Sequence, residues 1–161
     1  MKSHSTPCRL DLLRHGEAAP SDIGGDSERP LTARGVRALT ELAARLRREG
    51  WRPDHVFVSP FLRARQSASL VIRDLQPRPI LEVLTELEPE HDPDAVIEAL
   101  DAREVRSGTI LLVGHQPLLG RLVAHVTGVE HPLTTAEMVR ISCDGVLGHR
   151  AGRIELAIRP R

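Results

Sequence analysis

Tyrosine is missing from this chain, and Trp and Phe together contribute only three residues. That scarcity removes the aromatic platforms on which single-stranded nucleic acid stacks. It also leaves the core to Leu, Val, Ile and Ala. There are two cysteines, Cys8 and Cys143, too few and too far apart for a CxxC motif or a disulfide framework. A reducing cytoplasm fits that usage. Net charge is absent too: 22 Lys+Arg balance 22 Asp+Glu, so no global field draws the protein to nucleic acid or to a membrane surface. Lysine is represented by Lys2 alone. So broad an arginine bias is read first as compositional, although the planar guanidinium fork suits phosphate oxygens. No apolar run reaches the length of a membrane span, and residues 1–8 read as a disordered leader without signal-peptide form.

What is present is an ordinary globular composition in 161 residues, enough for one domain with its own core over residues 9–161. Short apolar runs alternate with helical periodicity. Strands are expected near 9–14, 54–58, 79–83 and 109–113. Helices are expected from Thr32, as N-cap, to a stop at Gly50, from Pro60 to about Asp74, from about Asp94 to Val105, and from Pro117 to Thr127, closed by Gly128. The tail from Met138 to Ile158 reads as two strands joined by a turn around Asp144–Gly152. This order predicts an α/β protein: a three-layer α/β/α sandwich, mostly parallel, with an antiparallel edge. The segment from Ala19 to Pro30 is a loop of the kind that carries specificity.

Three predicted strands end in suggestive residues. The first delivers Arg14-His15-Gly16-Glu17, the second Ser59-Pro60-Phe61-Leu62-Arg63, and the fourth Gly114-His115-Gln116-Pro117. In open α/β sheets the ligand crevice lies at the carboxyl ends of the strands. Two His and two Arg meeting there make a compact cationic pocket for a phosphoryl group. A neutral His15 is a competent nucleophile, and Arg14 and Arg63 beside it would keep its ring unprotonated. Attack on phosphorus would form a phosphohistidine that water resolves. Arg14, Arg63 and His115 are the donors for the three equatorial oxygens. The second ring nitrogen of His15 should donate to a carbonyl or carboxylate, fixing the tautomer. His4, His55, His91, His125, His131 and His149 are read as surface or internally satisfied residues. No zinc spacing occurs among them, and no cofactor, metal or Mg²⁺ dependence is expected.

The chain resembles the histidine phosphatase superfamily, also called phosphoglycerate mutase-like. The likeness is carried by Leu13-Arg14-His15-Gly16-Glu17, Arg29-Pro30-Leu31-Thr32 with Gly35, Ser59 to Ala64 with Gln66-Ser67-Ala68, and Val113 to Pro117. Its short length and the Arg29–Gly35 signature are most similar to the SixA-type phosphohistidine phosphatase branch. The resemblance implies His15 as phosphorylated nucleophile and Arg14, Arg63 and His115 as phosphate ligands. Relatives acting on ordinary esters carry an acid two positions after a Leu in the middle loop, where this chain has Leu87, Glu88 and then Pro89. The usual general acid is therefore missing; Glu88, and with it Glu86, Glu90 and Asp92, are substitute candidates only by proximity, and each is read first as part of a solvated acidic loop. The expected substrate is a phosphohistidine-bearing protein. A phosphatase for small phosphomonoesters and a non-catalytic phospho-ligand binding module are the alternatives.

Overall fold

The computed structural model describes residues 7–20, 23–145 and 147–161. Six strands form one sheet in the order β3-β2-β4-β1-β5-β6. They are β1 (Cys8–Arg14), β2 (His55–Val58), β3 (Leu81–Val83), β4 (Gly108–Gly114), β5 (Met138–Cys143) and β6 (Gly152–Ile158). The first four pair in parallel. β5 and β6 run antiparallel at one edge. Of the expected leader, residues 1–6 lie outside the described residues, whereas Cys8 opens β1 and is buried.

Strand alternation splits the core into two layers. Leu10, Leu12, Ile110 and Leu112 face one side, where they meet α3 (Pro93–Ala102) and α4 (Leu118–Thr127). Leu13, Leu111 and Val113 face the other, against α1 (Ala33–Arg48) and α2 (Leu62–Ile72). α1 starts where its capping chemistry dictates, with the Thr32 side chain accepting from the Gly35 N–H. It buries Leu39, Leu42 and Leu46, each stabilising the fold by roughly 1.5–3 kcal/mol. Its chain then turns at Gly50, which has a φ of 70°.

One inward position of β1 is an acid. Asp11 is fully buried on the α1/α2 face, accepting from Arg140 Nε at 2.8 Å and from Trp51 Nε1 at 2.7 Å. Those partners answer the cost of burying a carboxylate. Cys8 and Cys143 oppose each other across the β1–β5 ladder as buried free thiols. Burial pushes the Cys143 thiol up to about 12, so it is no nucleophile. Among the described residues, no helix is long and apolar enough to cross a membrane.

Candidate active site

The three central parallel strands, β2, β4 and β1, bring their carboxyl ends side by side. The ladder continues past them: the His15 N–H donates to the Gly114 carbonyl at 3.0 Å, and the Ser59 N–H to the Val113 carbonyl at 3.0 Å. Arg14 and His15 thus stand beside Gly114 and His115. Arg63 joins them from the first turn of α2, which follows β2 directly. His15, Arg63 and His115 are all buried, and Arg14 half-buried.

His15 is held at both ring nitrogens. Nδ1 lies 2.7 Å from the Gly16 carbonyl. A carbonyl only accepts, so Nδ1 carries the proton and Nε2 keeps its lone pair. Arg63 Nε donates to that Nε2 at 3.2 Å. The ring is only 8% exposed, and its pKa falls to about 4. Burial is the leading cause; the hydrogen bond to the Gly16 carbonyl comes next and pulls the other way, and the Arg63, Arg14 and Arg29 charges follow, each lowering it. The arginines therefore act as expected, but as secondary contributors.

Close packing fixes the loop that carries this histidine. A Cβ on Gly35 would stand 2.4 Å from the Glu17 carbonyl oxygen, and one on Gly16 2.8 Å from Leu39 Cδ1. Only glycines let the loop lie against the start of α1. Thr32 ties the two together, its N–H donating to the Glu17 carbonyl and its hydroxyl to Glu17 Oε1. Ser67 Oγ accepts from the Gly16 N–H and donates to the Arg63 carbonyl, and Gln66 Oε1 accepts from the Leu31 N–H. The glycines and polar residues of these motifs are thus the braces of the His15 loop.

The rings of His15 and His115 have centroids 5.1 Å apart. Ser59 Oγ accepts from the Phe61 N–H at 3.3 Å and lies 2.8 Å from His115 Nε2. Ser59 is fully buried, so its hydroxyl proton is best satisfied by donation to that Nε2. The relay leaves the His115 proton on Nδ1, which is buried without a partner among the described residues. Arg14 Nε is orphaned in the same way, while its Nη1 donates to the Leu133 carbonyl at 2.9 Å. An unpaired buried donor is costly; two of them beside one imidazole suit an anion. Phe61 fills the wall, its ring 5.0 Å from His115 and 5.0 Å from the Arg63 guanidinium carbon.

The four predicted residues are brought together. His15 is neutral, as expected, and His115 is neutral as well, so the pocket's positive charge comes from its arginines. Burial holds His115 down to about 3, with the neighbouring His15, Arg63 and Arg14 charges adding to the effect. Sequence reasoning missed Asp26, in a short 3-10 turn (Asp26–Glu28) within the expected loop. Arg63 Nη1 donates to its carbonyl at 2.6 Å and Nη2 to its Oδ2 at 3.2 Å. Glu88 follows a second 3-10 turn, Thr85–Leu87, whose Leu87 carbonyl abuts Gly114. No hydrogen bond or ion pair among the described residues joins its carboxylate to the four.

A buried imidazole whose unprotonated Nε2 accepts from Arg63, beside a second arginine and a second histidine, has the chemistry to receive a phosphoryl group. The profile of the histidine phosphatase superfamily (branch 1) matches residues 10–89. Phosphohistidine phosphatase SixA of Escherichia coli (strain K12) is 37% identical over 138 residues, covering 83% of this chain and 84% of that protein. The chain belongs to the histidine phosphatase superfamily. The solved structure of the protein histidine phosphatase SixA complexed with tungstate superposes with a TM-score of 0.81 at 32% identity, over 94% of this chain and 97% of that one. The alpha-ribazole phosphatase of Shigella flexneri shares the fold, with a TM-score of 0.65 at 22% identity, over 92% of this chain and 100% of that one.

Proposed function

We propose that this protein is a phosphohistidine phosphatase that works through a phosphohistidine intermediate on its own His15. The observation that carries this reading is the double anchoring of His15, with Nδ1 tied to the Gly16 carbonyl and an unprotonated Nε2 in a buried site. In this reading Nε2 attacks phosphorus, the P–N bond of the substrate breaks, and water then attacks the phosphoenzyme to release phosphate. Arg14, Arg63 and His115 hold the phosphoryl oxygens. The two orphaned donors, Arg14 Nε and the His115 Nδ1 proton, are the atoms that an oxyanion would satisfy.

The substrate class follows from the leaving group. An alkoxide needs a proton as it departs. A phosphorylated imidazole protonated on its other nitrogen leaves as neutral imidazole without one, so Glu88 is not required. The likeness to SixA supports the same choice. In this reading Arg14, Arg63 and His115 cover the oxygens, and we assign a metal-independent reaction on a phosphorylated protein, without nucleic acid or membrane as partner, in the cytoplasm.

The test compares wild type with His15→Ala on a histidine-phosphorylated peptide and on p-nitrophenyl phosphate. Wild type should release phosphate from the peptide and form an acid-labile phosphoenzyme, and His15→Ala should lose both. Wild type that cleaves esters briskly but leaves the peptide intact would overturn the substrate class. His15→Ala that still turns over would overturn the nucleophile. Phosphate affinity without turnover in wild type would mark a binding module instead.

A further inference from the structure

We propose that Asp26 selects the leaving group, its carboxylate accepting an N–H from the protonated imidazole of the substrate and disfavouring leaving groups that carry no such proton. This rests on the phosphohistidine reading above and deepens it.

One guanidinium links Asp26 to the reacting centre. Arg63 hands Nε to His15 Nε2 and Nη2 to Asp26 Oδ2, each at 3.2 Å. A phosphoryl group seated on His15 and gripped by Arg63 therefore has the Asp26 carboxylate as its neighbour. The carboxylate is held from the other side as well, with Arg29 Nη1 3.1 Å from Oδ1. Arg29 is itself pinned by the Ala19 carbonyl, and the loop base by the Ala19 N–H on the Pro30 carbonyl. Each Asp26 oxygen has one lone pair engaged in this way and more to offer. The side chain is 59% exposed, so those lone pairs are open to a visitor. Gly24 and Gly25, both at positive φ, let the chain turn sharply enough to present it.

The chemistry separates two classes of substrate. The hydrogen bond from Arg29, followed by Arg63, holds the Asp26 acid below the usual carboxylate range, so it is ionised at neutral pH. An ionised carboxylate has no proton to give an alkoxide. Toward an imidazolium it is an acceptor of the right sign. As His15 Nε2 bonds to phosphorus, the P–N electron pair returns to the substrate nitrogen. The other nitrogen keeps its proton, hydrogen-bonded to Asp26, and the group departs as neutral imidazole. Asp26 ends ionised, as it began. Substrates with an acidic leaving group are repelled by the same charge.

The experiment measures kcat/KM for the histidine-phosphorylated peptide and for p-nitrophenyl phosphate, whose leaving group needs no proton and offers no N–H. Asp26→Asn and Asp26→Ala are compared with wild type. The expected result is a fall in the peptide-to-ester ratio on the order of tenfold or more in both variants, the scale of one hydrogen bond to a charged group. The alkaline limb of the peptide pH–rate profile should also move to lower pH, because the substrate imidazolium loses its counter-charge. Equal losses on the two substrates would mean that Asp26 merely props Arg63, and would overturn the proposal. So would an unchanged ratio. Wild type inactive on the peptide would defeat the phosphohistidine reading and this inference together; a wild type active on it, with an unchanged ratio in the variants, would defeat this inference alone.

Discussion

His15 and His115 should make the stability of this protein fall on mild acidification, and removing either should flatten that fall. The usual imidazole value is 6.5, and burial brings the two rings to about 4 and about 3 in the folded chain. Between those values and 6.5 the unfolded chain binds more protons than the native one, so stability rises with pH across the window and is lost as pH falls through it. For His15, lowering the pH from about 7 to about 5 costs about 2 kcal/mol, and His115 costs a similar amount. Urea unfolding followed by far-UV circular dichroism at several pH values would measure this. His15→Asn should lose about 2 kcal/mol less than wild type over that interval. The double variant with His115→Asn should lose less still. Other titrating groups cancel in the comparison. Inorganic phosphate should narrow the gap, because an anion between the rings favours their protonated forms. Wild-type and variant curves that stay parallel would refute the argument that both rings are buried neutral.

Arg63→Lys should lower kcat on p-nitrophenyl phosphate by roughly 10²–10³-fold with the fold retained, since an ammonium cannot reproduce a fork that reaches His15 and Asp26 at once. A loss under about tenfold would remove Arg63 from the centre of the mechanism. Gly35→Ala drives a methyl group against the Glu17 carbonyl and should destabilise by about 1–3 kcal/mol in denaturant titrations while impairing turnover through the His15 loop. Gly148→Ala, where an added Cβ meets open space, serves as its control.

The layered fold was legible because local signals agree with the tertiary structure. The runs ending at Arg14 and Gly114 are apolar because both sheet faces are covered, and Thr32 and Gly128 mark helix ends through capping chemistry. Boundaries failed where a side chain or cap overrode the pattern. The second helix begins at Leu62 rather than Pro60, because the Phe61 N–H is taken by Ser59 Oγ and residue 61 stays extended. The third begins at Pro93, capped by Asp92, and stops at Ala102, where the Leu100 and Asp101 carbonyls take the closing N–H groups and Glu104 turns to a φ of 57°. Motif spacing picked out His15, Arg14, Arg63 and His115 as neighbours because strand ends converge in this kind of sheet. It gave no sign of Asp26, whose importance lies in a contact across 37 residues. Nor did it mark Asp11 as buried, since an acid inside an apolar strand has no local signal for an Arg140 that arrives 129 residues later.

The Arg63–His15 bond has a mechanistic consequence. Arg63 Nε points at the lone pair that attacks phosphorus in the mechanism proposed above. While that bond lasts, Nε2 is masked, and the guanidinium charge beside it helps to keep a proton away. Attack requires the Nε–H to pass from nitrogen to a phosphoryl oxygen, a shift that a bound phosphoryl group itself drives by offering a charged acceptor. In the proposed mechanism Arg63 thus guards His15 in the empty site and stabilises the transferring group in the occupied one. Its Nη atoms stay on Asp26 in the first state, so the 3-10 turn is the fixed point about which that exchange is made. Burial of the ring and the Arg63 charge thus act together in protecting the imidazole.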